Sequence, residues 1–492
     1  MRNQLVYLFA LLVAGACSQA PIRVDREINQ LPEIFPDYTG CTIPPNIAPL
    51  NFALTAGYDE AYAVFSAGDN EWSVKAGKNQ FTFPISKWRK LLQLSAPGDI
   101  QIKIKVKKEG KWFGYTPFRI HIASESVDPY IAYRLIEPGY ELWNQMGIYQ
   151  RNLENYAQSP IIENKMTDNN CMNCHSFCMQ NPDKMLFHIR GSLGSTVLVN
   201  GDKIERLHTQ TDHTMSALVY PSWHPGGRYV AFSVNDTRQA FHVNNRNRVE
   251  VYDYKSDVVV YDTDKHEIIT APPLFSEDWL ETFPAFSPDG QTLYFCTAPA
   301  CSMPDEFTQI KYSLCSIAFN PETRAFGAVA DTLFHAKENG MSVSFPRVSP
   351  DGAYLMYTKA AYGNFSIWHK DADLHLINLA SGNHFPAQAA NSADVESYHS
   401  WSSNSRWVVF ASRRLDGLYT RLYITYINAD GQAGKPFLVP QKKVTFYHDF
   451  MKSYNIPEFI TGKVKEQGYR IGQTAQKDKG ITVSFSKKNK IR

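Results

Sequence analysis

A repeated pattern of aromatic, apolar and turn residues constrains the fold of this chain more than any other feature. Each copy starts like a strand, continues into a four-residue polar turn with residues such as Pro and Gly that suit a tight hairpin, and ends in an apolar strand. A second hairpin follows each copy, and four strands per repeat are typical of one β-propeller blade. The four copies, which align without gaps, are YPSWHPGGRYVAFS from Tyr220, FPAFSPDGQTLYFC from Phe283, FPRVSPDGAYLMYT from Phe345 and YHSWSSNSRWVVFA from Tyr398.

A fainter fifth copy lies upstream of these four. NPDKMLFHIRG at 181–191 resembles the turn and its following strand, and 195–207 supplies an outer hairpin. FYHDF at 446–450 resembles the start of another copy, but no complete copy follows it. We therefore predict that the C-terminal strand supplies the missing inner strand of the first blade, which removes an exposed sheet edge. The predicted fold is all-β, with a five-bladed propeller over 179–460 and six blades as the alternative.

The residues before the repeats predict a separate small domain and its connections. Residues 48–123 contain short alternating strands, and in DIQIKIKVKK the apolar residues fall on one face and the lysines on the other. This alternation is typical of an antiparallel sheet packed on one side, so we expect a small immunoglobulin-like β-sandwich. Residues 18–47 read as a tether and 124–170 as a partly helical connector. The tail 461–492 carries nine basic and two acidic residues, which favours a solvated, disordered end over an anionic docking patch.

The first seventeen residues, MRNQLVYLFALLVAGAC, predict export. One positive charge precedes an apolar run that is too short for a permanent membrane helix, and small residues follow it. The AGAC ending resembles a bacterial lipobox, which implies that Cys17 becomes the lipidated first residue of a lipoprotein. Ala14 stands where Leu is usual, and ordinary cleavage nearby is the alternative. Because Ser18-Gln19-Ala20 holds no acidic residue, we expect the periplasmic side of the outer membrane.

The stretch CMNCHSF at 171–177 is the clearest chemical motif in the chain. Two cysteines separated by two residues and followed at once by histidine form the attachment motif of haem c. In this interpretation Cys171 and Cys174 bond the two vinyl groups of one covalent haem c, and His175 ligates the iron. Predicted export favours it, because haem attachment takes place outside the cytoplasmic membrane. A zinc site completed by Cys178 and His188, a disulfide, and coincidence are the alternatives.

A second axial ligand for the iron is predicted from the strand that follows the motif. Along MLFHIRG, alternation puts Met185 and Phe187 on one face and Leu186 and His188 on the other. His188 therefore shares its face with an apolar residue, where an unliganded imidazole would need another partner. We predict His188 as the first candidate and Met185 as the second. An open site or a more distant residue is the alternative.

Taken together, the motif and the repeats resemble the TolB-like β-propeller lipoproteins that carry a single c-type haem motif. The resemblance covers about 130–460 and implies a propeller and one covalent haem c. The first hypothesis is an exported, lipid-anchored monohaem protein for electron transfer or docking of a redox partner in the cell envelope. The second is a Tol-type binding or scaffold propeller without redox turnover. The third is a metal-dependent polysaccharide lyase or hydrolase with a histidine funnel, because TolB-like propellers include such lyases. Its candidate residues are His213, His224, His242, His399 and His448.

Charge and the remaining cysteines add few constraints. The net charge of +2, from 50 basic and 48 acidic residues, gives no global field for nucleic acid, so no such partner is expected. No catalytic signature and no small-molecule substrate can be identified. Export permits a disulfide, but the spacing does not show which residues pair. The cysteines concerned are Cys41, Cys178, Cys296, Cys301 and Cys315.

Overall fold

The computed structural model describes residues 22–68, 70–137 and 145–486, and strands dominate these ranges. The predicted signal segment and Cys17, the predicted lipidation site, lie outside the described residues. Within the described ranges, no helix combines the length and the apolar character that crossing a membrane requires.

The N-terminal domain consists of two sheets and one helix. The elements are β1 Arg26–Ile28, β2 Ile34–Phe35, β3 Thr42–Ile43, β4 Phe52–Leu54, β5 Glu60–Ala67, β6 Asn70–Lys75, β7 Gln80–Phe81, α1 Ile85–Ser95, β8 Gly98–Lys108, β9 Lys111–Tyr115 and β10 Phe118–Ile122. Strands β2, β4 and β7 form the smaller sheet, and the other seven form the larger one. In β8 the apolar residues are buried and the lysines lie on the wetter face, as the alternation predicts. The predicted tether is wrong in part, because 26–43 contributes three of these strands.

Residues 130–460 build six sheets within the described ranges, which we number one to six in chain order. Sheet one contains β11 Tyr130–Ile136, β12 Gly147–Asn152 and β13 Gln158–Glu163. Sheet two contains β14 Met172–Phe177, β15 Lys184–Ile189, β16 Ser195–Asn200 and β17 Lys203–His208. Sheet three contains β18 Val219–Trp223, β19 Tyr229–Phe241, β20 Val249–Asp262 and β21 Glu267–Ile269.

The other three sheets follow the same plan. Sheet four contains β22 Trp279–Phe286, β23 Thr292–Pro299, β24 Ser313–Asn320, β25 Ala325–Phe326 and β26 Asp331–Phe334, and the short helix α2 Ala336–Asn339 follows it. Sheet five contains β27 Ser342–Val348, β28 Tyr354–Ala360, β29 Asp373–Asn378 and β30 His384–Pro386. Sheet six contains β31 Glu396–Trp401, β32 Trp407–Ser412, β33 Arg421–Tyr426 and β34 Phe437–Leu438. The C-terminal elements are α3 Phe446–Asp449, β35 Ser453–Ile460, α4 Gly468–Lys477, β36 Ile481–Thr482 and β37 Ser484–Phe485.

The six sheets form a closed ring. Strand β35 pairs antiparallel with β11, with Tyr130 opposite Ile460, and so becomes the inner strand of sheet one. The six inner strands then contact one another in a closed order, which is β35, β14, β18, β22, β27 and β31. Radial sheets around a central channel, closed by pairing the last strand with the first sheet, define a β-propeller arrangement.

Two expectations about the ends of the propeller are wrong, and a third is right only in part. Residues 130–163 of the expected helical connector are the outer strands of sheet one. The C-terminal strand β35 does close the ring as an inner strand, but in sheet one, because CMNCHSF itself supplies the inner strand of sheet two. Residues 446–449 (FYHD) form helix α3 and not a strand. The tail is ordered over 461–486, where α4 buries Ile471 and Ala475, and β36 and β37 add parallel edge strands to sheets two and three.

The N-terminal domain packs directly on the propeller. One continuous apolar core joins both of its sheets to sheets one, five and six. The Trp407 indole nitrogen donates to the Glu125 carbonyl at 3.1 Å, and the Asp128 carboxylate accepts from the Ser403 backbone N–H at 2.7 Å. The N-terminal domain therefore packs on the propeller along sheets one, five and six.

The repeat turn offers a matched pair of glycines, Gly290 and Gly352. They have φ of +72° and +73°, but a Cβ at Gly290 would overlap the His224 ring, whereas one at Gly352 meets nothing within 4 Å. We expect Gly352→Ala to cost about 1–2 kcal/mol of left-handed backbone strain, and Gly290→Ala to cost clearly more. Denaturant unfolding of the two variants measures the difference. Equal costs would show that the contact with His224 does not matter.

Candidate functional site

Each inner strand carries a β-bulge at the same height in the channel. The pairing register of each inner strand shifts there. The bulged residues have φ between 48° and 54°, which is unusual for residues other than glycine. Aromatic members pack closely, with ring centroids of Phe283 and Phe345 4.1 Å apart. The six residues form what we call the bulge ring, which narrows the channel: Cys174, Tyr220, Phe283, Phe345, Tyr398 and Ile456.

The bulge ring shows which part of the cysteine motif the repeat explains. Residues 174–177 (CHSF) occupy the same positions as 398–401 (YHSW) in sheet six, so His175 corresponds to His399. The two thiols have no such explanation, because the other sheets hold aromatic residues or Ile at the position of Cys174. At the position of Cys171 they hold Ala, Leu, Ser or Val. The cysteines are therefore the part of the motif that only sheet two has.

Cys171 and Cys174 line one funnel on one side of the bulge ring. The cavity has a volume of about 340 Å³. Cys171 is half-buried and Cys174 is buried. Burial raises the pKa of the Cys174 thiol, and the charges of Arg190 and Arg134 oppose that shift. Arg134, Arg190 and Arg413 line the funnel, whereas Glu137 is the single acidic residue among its described lining residues, so the funnel is basic.

His175 lies on the other side of the bulge ring, in a cavity of about 30 Å³ that has room for about one water molecule. The side chain is 1% exposed, and among the described residues its ring nitrogens have only a weak contact with the Ile456 backbone, which falls short of a full hydrogen bond. Burial lowers the pKa of His175 to about 3, so the ring is neutral. His399, Arg347 and Glu458 line the same cavity. Burial raises the pKa of Glu458 to about 7, and its carboxylate accepts from the Phe177 backbone N–H at 2.9 Å.

The two candidates for the second axial ligand lie elsewhere in sheet two. Met185 is fully buried opposite Phe177 and packs in the apolar core of sheets one and two. His188 lies opposite Asn173, 6% exposed, with Nδ1 3.4 Å from the Thr196 hydroxyl. Burial lowers the pKa of His188 to about 4. Neither side chain lines the funnel or the small cavity, so this arrangement does not bring them together with Cys171 and Cys174.

The five histidines of the proposed metal funnel do not converge. His213 packs near Phe485, His224 against Phe286, His242 on Phe307 and His448 on Phe35, while His399 alone lies in the channel. Across 22–68, 70–137 and 145–486, no group of three or more His, Cys, Asp or Glu side chains is placed to hold a metal ion. The described cysteines form no disulfide.

One buried acidic pair was not anticipated from the sequence. Asp257 and Glu281 are 3% and 2% exposed. Burial raises the pKa of Asp257 to about 7 and that of Glu281 to about 9, and the charge of Asp257 adds to the shift of Glu281. The two residues lie in strands of different repeats, so no local spacing signals the pair. The basic funnel was not predictable from the sequence either, because Arg134, Arg190 and Arg413 lie far apart along the chain.

Comparisons with known proteins give the chain only distant neighbours. No family model matches it, and no curated protein matches it. A periplasmic gluconolactonase from Pseudomonas aeruginosa is 13% identical at a TM-score of 0.34, over 62% of this chain and 95% of that one. A DUF4784 family protein from Bacteroides caccae is 6% identical at a TM-score of 0.31, over 72% and 94%. An oligogalacturonate lyase in complex with manganese is 11% identical at a TM-score of 0.25, over 58% and 55%.

Structural similarity at these TM-scores does not identify the activity of this chain. The alignments span 55% of the oligogalacturonate lyase and 57% of a puromycin-hydrolysing peptidase from Mycobacterium tuberculosis, so large parts of both proteins have no counterpart here. The architecture rests on the sheet order and the closed ring of inner strands. By that order, the chain is a β-propeller protein with an N-terminal β-domain and a basic funnel lined by two thiols.

Proposed function

We propose that the chain is an exported, lipid-anchored envelope protein that holds one covalent haem c in the funnel, for electron transfer or docking of a redox partner. One observation carries the proposal. The two thiols that only sheet two has line the same cavity, and the next residue along the chain is a buried imidazole whose one polar contact among the described residues, with the Ile456 backbone, is weak. A buried imidazole with so weak a partner is costly unless something else binds it.

The two thiols and the arginines that line the funnel fit a haem c in their chemistry. Cys171 and Cys174 would attach the group. His175, a neutral imidazole, would be the first axial ligand only if the bulge at Cys174 rearranged on attachment, because the side chain lies across the bulge ring from the funnel. Arg134 and Arg190 line the funnel and would neutralise the two carboxylates of the haem through charge-assisted hydrogen bonds. When bound, the haem supplies one-electron transfer. His188 stays the first candidate for the second axial ligand and Met185 the second.

The finer points of fold and location belong to the same proposal. We propose a six-bladed propeller of TolB-like type, in line with the six sheets around the channel, and an immunoglobulin-like class for the N-terminal domain. Lipidation at Cys17 would anchor the chain to the periplasmic side of the outer membrane. A protein partner in the envelope would then approach the funnel from the side that the membrane leaves free.

A binding or scaffold propeller without haem is the second candidate, and a specific observation favours it. His175 occupies a repeat position and lies in the small cavity, on the opposite side of the bulge ring from the funnel. In that case the funnel would bind a ligand without redox turnover. The metal-dependent lyase or hydrolase has less support, because its five histidines lie apart.

Expression with and without haem-attachment machinery separates the two candidates. We expect the full chain, when made with the machinery, to keep haem after denaturation, and Cys171→Ala/Cys174→Ala to lose it completely. Cys296→Ala/Cys315→Ala is the matched control, since it removes two buried thiols of sheet four and should leave the attachment intact. A chain that carries no covalent haem, in cells that load a known c-type cytochrome, would favour the binding propeller.

A further inference from the structure

A second basic cavity adjoins the funnel at its mouth. It has a volume of about 170 Å³ and shares Trp368 and Arg413 with the funnel wall. We call it the mouth cavity. Arg246 and Arg248 reach it from the connection between β19 and β20, the long hairpin of sheet three, and Lys370 reaches it from sheet five. Four cations from three separate parts of the propeller thus meet in one small cavity.

Arg413 is a buried cation that forms no close ion pair with a described residue. It is 5% exposed, and no described carboxylate lies within 4.0 Å of it. Its Nε donates to the Ile367 carbonyl at 2.9 Å, another nitrogen donates to the Leu418 carbonyl, and its Cζ lies 3.3 Å from the centroid of the Trp368 ring. These contacts fix the guanidinium, and the Asp394 and Asp416 carboxylates, which lie beyond ion-pair distance, compensate its charge only in part. A buried charge without a close partner is costly.

The other three cations of the mouth cavity also have few anionic partners, so the cavity keeps an excess of positive charge. Arg246 and Arg248 are exposed, and neither forms an ion pair with a described residue. Lys370 has Asp394 as a distant partner, with 3.9 Å between Nζ and the carboxylate. The described lining therefore holds four positive charges against one negative charge. Planar guanidinium groups match the geometry of carboxylate and phosphate groups, which makes such a cluster selective for oxyanions.

We propose that the mouth cavity binds a small oxyanion that carries phosphate or carboxylate groups, with Arg413 as the fixed anchor and Arg246 and Arg248 as further contacts on the hairpin. This site does not depend on haem in the funnel, because none of its contacts involves the cysteine motif. Its ligand would supply a closer counter-charge for Arg413 than the Asp394 and Asp416 carboxylates do. Such a ligand would also lie beside the funnel and cover part of its entrance.

Titration calorimetry of the full chain at low salt, with inorganic phosphate and separately with citrate, tests the proposal. We expect the wild type to bind one or both ions saturably. In Arg246→Ala/Arg248→Ala the affinity should fall about tenfold, which corresponds to about 1.4 kcal/mol of binding free energy. Binding of phosphate alone or citrate alone would identify the class. Lys442→Ala/Lys443→Ala, which removes two exposed charges from a remote loop, should bind like the wild type. Absent binding of both ions, or equal weakening in the two double variants, would overturn the proposal.

Discussion

Deletion of residues 441–492 should leave a protein that aggregates instead of folding, because it removes β35, the inner strand of sheet one. Tyr454, Phe459 and Ile460 are fully buried in that strand. Burying one such side chain contributes about 1.5–3 kcal/mol, whereas whole domains are stable by only about 5–15 kcal/mol. The deletion also leaves the inner edge of β11 open and removes a neighbour from both β14 and β31.

A shorter deletion is the control for ring closure. Removing 466–492 takes away α4, β36 and β37, which pack on the outside of sheets one to three and bury Ile471, Ala475 and Val483. We expect this variant to stay folded with a lower melting temperature, because the ring of inner strands is intact. Solubility and thermal melting followed by circular dichroism measure both variants. A soluble, cooperatively melting protein after the longer deletion would contradict closure by β35.

Substitution of His175 should change the iron spectrum completely if the haem is attached as proposed. We expect His175→Gly to keep the covalent haem, because both thiols remain, but to lose the low-spin spectrum that two strong axial ligands give. Added imidazole should then restore it. The experiment is an absorption spectrum of the loaded protein with and without imidazole.

The repeat supplies the control for this substitution. His399 holds the same repeat position in sheet six and lines the same small cavity, so His399→Gly makes an equal void without touching the proposed ligand. Its spectrum should match that of the wild type. A low-spin spectrum in His175→Gly without imidazole would show that His175 does not bind the iron. The same spectra of His188→Ala and Met185→Ala decide the second ligand.

Much of the propeller was predictable from the repeat, for a physical reason. Sheets three to six each contain the aromatic residue of the bulge ring and a polar turn, and both are set by local sequence. Sheet one could not be predicted from the repeat. Its inner strand β35 comes from the C-terminal part of the chain and carries Ile456, not an aromatic residue, at the bulge. Its other strands, such as YIAYRLI, lack the turn signature. The order of the tail was not predictable from its composition, because charged residues dominate it and α4 buries only a few apolar residues.

The site was predictable only as far as its cysteines. The motif identified Cys171 and Cys174, but the side of the channel on which His175 lies depends on the bulge at Cys174, which follows from strand pairing. The arginines of the funnel lie in sheets one, two and six, so only the closed ring brings them together. Contacts between residues so distant in sequence leave no local pattern to read.

The intact mass of the protein purified from its own host tests the central claim most directly. We predict the mass of the chain that starts at lipidated Cys17 plus one haem, with the haem increment kept after denaturation and acid treatment. A mass that matches the processed chain without a haem would contradict it, and the thiols of the funnel would then need another role.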